Sequence, residues 1–189
     1  KPISLIAKNK AYHTFIPAPS YSQKNLGAVG ATITVNYAGS WPDNAKASFE
    51  YAKNIWATTI SSSMEIRIEA SYTTLNGQTL ASTYPRVFWT VSGQRSNTFY
   101  AAALADALTG YDHDPGWPDM YISMGSNWTW NMDPARQPTA QEYDFTSVAL
   151  HEIAHGLGFT KSFNFTDPTG SYGLGTNKYP EMYDVFITN

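Results

Sequence analysis

Between residues 45 and 75 the hydrophobic residues change their spacing, and that change rules out both an all-helical and an all-strand chain. From Ala45 to Ile60 the apolar positions Ala45, Phe49, Ala52, Ile55, Trp56 and Ile60 recur at helical spacing, which predicts an amphipathic helix. In SMEIRIEASYTTL (63–75) the period becomes two. Met64, Ile66, Ile68 and Ala70 fall on one side and Glu65, Arg67 and Glu69 on the other, as in a strand with one solvated face. Upstream, ATITVNY (31–37) alternates Ile33, Val35 and Tyr37 and is a second strand. GSWPDN breaks it, with Ser40 or Asp43 available to cap the helix that follows.

Downstream, RVFWTV (86–91) reads as a strand, TFYAAALADALTG (98–110) as a helix closed by Gly110, and MYISMGS (120–126) as another short strand. A polar, Trp-rich loop runs to about residue 143. A last helix begins near Asp144 or Thr146 and stops at Gly156–Gly158, and the tail beyond it is rich in Gly, Asn, Thr and Pro. The predicted order is strand, helix, strand, strand, helix, strand, helix. No repeat, low-complexity tract or linker divides it, so the fold class is α+β: one domain, a mixed sheet with helices packed on it, behind an N-terminal arm over residues 1–30.

Bulk properties narrow the function. At 189 residues the chain suits one domain with a sizeable core. A net charge of −3 without any Lys/Arg cluster argues against a nucleic-acid partner. No apolar run is long enough to span a bilayer. The chain has no cysteine, so it neither requires a reducing compartment nor excludes an oxidising one. KPISLIAKNK has too short an apolar segment for a signal peptide and fits a mature N-terminus left after processing.

The last helix carries the chemistry. In SVALHEIAHGLGFTKSF (147–163), His151 and His155 are one turn apart and project from the same face, where two imidazoles can bind one metal. Neutral imidazole nitrogen suits Zn²⁺, which in catalytic sites takes three protein ligands and keeps a fourth position open. Glu152 follows the first histidine, beside the metal rather than ligating it, where a carboxylate can take a proton from metal-bound water and later pass it on. The bland alternative is a core helix with two hydrogen-bonded, metal-free histidines. Helix pattern, motif and following glycine together favour zinc.

HEIAHGLGF resembles the extended HExxHxxGxxH motif of metzincin metallopeptidases, matching at His151, Glu152, His155 and Gly158. The wider DFTSVALHEIAHGLGF…PEMYDVF is similar to secreted, mostly bacterial zincins, and more distantly to leishmanolysins. The resemblance is dense over 119–187 and architectural over 31–110. It implies a zincin-like twisted mixed sheet, the upper catalytic subdomain of a metzincin. The implied function is a secreted, periplasmic or cell-surface zinc endopeptidase acting on protein or peptide substrates. The family's third histidine would fall at Lys161, whose ammonium has no lone pair to give. Two explanations stay open. Either the chain lacks its C-terminal subdomain and the third ligand lies on a C-terminal fragment of the same precursor, or Asp184 or Glu181 completes the site.

Other features are less directed. YDHDPGWPD (111–119) gathers Asp112, His113, Asp114 and Asp119, a Ca²⁺ loop or second zinc site on one reading and a solvated turn on the other. The 120–125 strand is expected to be the sheet edge along which a peptide adds by main-chain hydrogen bonds. Trp117, Trp128 and Trp130 either line a cleft or cover the sheet. Two functions compete with an active enzyme: a non-catalytic binding or adhesion module, and a latent fragment that needs a C-terminal partner chain.

Overall fold

The computed structural model describes residues 3–6, 30–164, 170–173, 176 and 178–186. In chain order the elements are β1 (Ile3–Ile6), β2 (Ile33–Ala38), α1 (Asp43–Thr59), β3 (Ile66–Thr73), β4 (Thr79–Pro85), β5 (Phe88–Trp89), β6 (Tyr100–Ala101) and α2 (Ala102–Thr109). They continue with β7 (Met120–Gly125), β8 (Trp130–Asn131), β9 (Tyr143–Asp144), α3 (Phe145–Gly156), β10 (Phe163–Asn164) and β11 (Ser171–Tyr172), and end in a 3₁₀ turn over Tyr183–Phe186. Of the expected arm, residues 3–6 form a strand; residues 1, 2 and 7–29, His13 among them, lie outside the described residues. The mixed α+β class expected from the sequence is the one observed.

Five strands form the main sheet in the order β1-β4-β7-β3-β2. β2, β3 and β7 are parallel, β4 runs antiparallel to β7, and β1 antiparallel to β4. Period two explains the inner face: Ile66, Ile68 and Ala70 of β3 and Met120, Ile122 and Met124 of β7 are all buried. The parallel pairing of β2 with β3 requires a crossover, which α1 supplies. Its Phe49 and Ala52 are fully buried, and Phe49, Trp41 and Tyr37 meet edge to face at 5.0 to 6.1 Å between centroids. No side chain caps α1: the N-cap is Pro42, and Asp43 is the first-turn acid that favours the helix dipole. Gly110 closes α2 in the left-handed conformation, as its position after the helical pattern predicts.

Three expectations are corrected. The 120–125 strand is not an edge, because β7 is hydrogen-bonded to β3 on one side and β4 on the other and has no free side for a peptide. The strand expected over 86–91 shrinks to Phe88–Trp89, which pairs with Tyr100–Ala101 in a separate two-stranded ribbon. The sequence reading also missed β4 altogether. Its inward residues Ala81 and Thr83 are small and lie opposite Met124 and Ile122, so they leave no alternating large-apolar signal.

Helix α3 lies across β4 and β7 and alongside α1. The two helices are joined by a buried hydroxyl pair, Ser48 to Thr146 at 2.9 Å, and by the Trp56 indole donating to the Leu150 carbonyl at 3.1 Å. At its C-terminal end the helix comes so close to β7 that a Cβ on Gly156 would overlap the Met120 thioether, itself fully buried. Among the described residues no helix is long and apolar enough to cross a membrane.

Gly156→Ala sets two effects against each other. Alanine gains about 1 kcal/mol in helix propensity, while overpacking a buried position costs about 1–3 kcal/mol. Met120 is fully buried and would have to shift its thioether within a packed core, so the second should win. Urea unfolding should show Gly156→Ala destabilised, and Met120→Ala in the same chain should be less harmful than in the wild type.

Candidate functional site

The sequence DFTSVALHEIAHG folds as α3 because Asp144 caps it: its carboxylate accepts from the Ser147 amide at 2.7 Å and from the Asn131 amide group at 3.2 Å. Phe145, Ala149, Glu152, Ile153 and Gly156 form the face turned into the protein. His151 is exposed and His155 half-buried, so both imidazoles lie on the open flank of the helix, with His155 one turn from Glu152. Their Nε2 atoms are 2.8 Å apart and their rings nearly perpendicular, with centroids 4.3 Å apart.

One hydrogen bond fixes the chemistry of this pair. His155 Nδ1 lies 2.6 Å from the Phe159 carbonyl oxygen, and a carbonyl only accepts, so Nδ1 carries the proton and donates. In the neutral ring the lone pair is then on Nε2, which faces His151. A histidine oriented through a backbone carbonyl in this way is the usual arrangement of a metal ligand. Gly158 makes the bond possible: at φ +112°, a conformation side chains rarely adopt, it returns the chain so that the Phe159 carbonyl meets the ring. Partial desolvation, and then the charge of His155, lower the His151 pKa, which keeps a lone pair available near neutrality. As a donor set, the two imidazoles fit zinc.

Glu152 differs from expectation. It is fully buried, facing the Thr83 hydroxyl of β4 and the Leu5 amide of β1, yet neither carboxylate oxygen closes a hydrogen bond of ordinary geometry. Burial pushes its pKa up to about 7, and the two polar neighbours restrain the rise. Thr83 and Leu5 are the site residues that sequence reasoning did not find. Thr83 belongs to the missed strand, and nothing local links Leu5 to a helix almost 150 positions away.

Neither carboxylate proposed as third ligand joins the histidines. The Asp184 carboxylate accepts from the Ser162 amide at 3.1 Å, the Ser162 hydroxyl at 2.6 Å and the Glu181 amide at 2.9 Å, which ties the tail to the segment after α3. Glu181 is buried, accepts from the Thr160 hydroxyl, and is pushed up to about 7 by burial and then by the charge of Asp184. Among the described residues no third His, Asp or Glu gathers with them into a ligand group. Both acids take part in tail packing, with Asp184 Oδ1 buried and without a hydrogen-bond partner among the described residues. Lys161 is exposed.

The 111–119 segment is neither a free solvated turn nor an open ligand cluster. Arg67 pairs with Asp112, Arg86 with Asp114, and His113 Nδ1 with Asp106 at 2.7 Å, while Asp119 accepts from the Arg67 amide at 2.7 Å. These contacts tie the segment to the start of β3 through Arg67, to the end of β4 through Arg86 and to α2 through Asp106. Trp128 and Trp130 cover the sheet, their indoles donating to the Thr79 and Gly125 carbonyls at 2.7 Å each. Trp117 is exposed beneath the Arg86 guanidinium.

No family model, curated protein or solved structure matches this chain. The site therefore stands on its own geometry.

In an NMR titration His151 should protonate below the ordinary histidine value of about 6.5, and His155→Ala should move it upward by removing the neighbouring charge. A His151 that titrates above that value would contradict the arrangement.

Proposed function

We propose that this chain is the catalytic domain of a secreted zinc-dependent endopeptidase with a zincin-like sheet. The observation that carries the proposal is the His155 Nδ1–Phe159 carbonyl bond, which leaves two imidazole Nε2 atoms facing one point. His151 and His155 would hold the metal. The third donor comes from outside the described residues, on a C-terminal segment or partner chain of the same precursor. Zinc, when bound, supplies a Lewis acid and makes water nucleophilic at neutral pH.

Glu152 moves the proton. It takes one from the attacking water as the new C–O bond forms and gives it to the amide nitrogen as the C–N bond breaks. One water is consumed, and a carboxylic acid and an amine are released. A pKa of about 7 suits a group that acts first as base and then as acid. The low charge and extended β4 fit a main-chain-reading site for peptides better than one for a charged ligand.

One observation favours a second reading, a binding or adhesion module: Glu152 is closed beneath β1 and β4. Glu152→Gln separates the two. With zinc supplied and an unfolded protein as substrate, the peptidase account expects kcat/KM to fall by roughly 10²–10⁴-fold while the fold is kept. Equal activity in both forms, or none in either when the C-terminal segment that carries the third donor is also supplied, would favour the binding module.

A further inference from the structure

Resting on the peptidase reading, we infer that β1 is a displaceable latch: it occupies the β4 edge that an extended peptide must use, and it closes Glu152 until it leaves. Among the described residues the sheet ends with β1, four residues that pair with β4 on one side and with no strand on the other. Ile3 lies opposite Thr83, Ser4 opposite Ser82, Leu5 opposite Ala81 and Ile6 opposite Thr79, with an irregularity between Leu5 and Ile6 that skips Leu80. So short and irregular an outer strand is held by main-chain pairing, which any extended peptide can reproduce, and by the one side chain of Leu5 against the core.

Position makes this pairing consequential. Thr83, on the strand β1 covers, and Leu5, in β1 itself, are the two residues whose polar groups face the Glu152 carboxylate. The Leu5 amide therefore stands where the proposed mechanism needs a substrate amide nitrogen, beside the group that delivers the proton. A peptide replacing β1 in the same antiparallel register would bring its own amide to that place. While β1 is docked, the base is fully buried and the two histidines on the same helix remain open. The site is metal-accessible but closed to peptide. Apparent peptide affinity is then reduced by the small fraction of molecules whose β1 is undocked.

A reversible lock tests the latch in the full chain, which has no native cysteine to interfere. Ser4 and Ser82 lie directly opposite each other, so Ser4→Cys with Ser82→Cys can be cross-linked by oxidation and released by reductant. Binding is read by fluorescence anisotropy with a labelled synthetic KPISLIAKNK peptide, and hydrolysis by cleavage of an unfolded protein with zinc present. The latch predicts that oxidation abolishes peptide binding and reduction restores it. Leu5→Pro, which removes the amide and weakens the pairing, should bind the peptide roughly tenfold more tightly than wild type. Oxidised and reduced forms that bind equally, with Leu5→Pro unchanged, would overturn the latch whether or not hydrolysis is seen. If binding follows the redox state but no form cleaves, the latch stands and the peptidase reading falls. Should the double-cysteine chain not fold, Leu5→Pro alone decides by the same binding measurement.

Discussion

The seating of α3 on the sheet is the constraint on which the rest depends. Gly156 lets the helix end close against Met120, and Ser48–Thr146 and Trp56–Leu150 fix it to α1. With the helix so held, its 3.6-residue period does the rest. Glu152 must turn inward toward β4 and β1, and His151 and His155 must turn outward as a pair. Their angular relation belongs to the helix itself; the packing decides that it is Glu152 that meets the sheet. The Gly158 reversal adds the last element by bringing a carbonyl back to orient one imidazole.

Most of this was legible where side chains repeat with a period. The stripe from Ala45 to Ile60 marked α1, the alternation from Met64 marked β3, and Gly110 marked the end of α2. In the motif helix the spacing of His151 and His155 alone placed both rings on one side. What escaped were features set by partners distant in sequence. β4 carries Ala81 and Thr83 inward because its neighbours on β7 are large, and small residues leave no periodic trace. The 120–125 strand looked like an edge because sequence does not say that β4 and β3 flank it. Asp184 and Glu181 looked free to ligate because their hydrogen bonds to Thr160 and Ser162 are made across more than 20 residues. The burial of Glu152 was not legible either, because Thr83 and Leu5, which face it, are distant in sequence.

That burial links electrostatics to control. Several ionisable groups of this weakly charged chain are paired, as in the contacts of Asp112 with Arg67 of β3 and of Asp114 with Arg86 after β4. Glu152 instead sits buried between two strands with only the Thr83 hydroxyl and the Leu5 amide facing it, a position that costs free energy unless the carboxyl takes a proton or its surroundings open. On the proposed reading it is a reactive group held beside the two imidazoles.

The most direct test of the account is zinc binding to the full chain, measured against a competing chelator for wild type, His151→Ala, His155→Ala and Glu152→Gln. The account predicts saturation near one equivalent, as for a mononuclear site. Binding should be lost in either histidine variant and kept in Glu152→Gln. Zinc uptake that is indifferent to both histidine substitutions would contradict it.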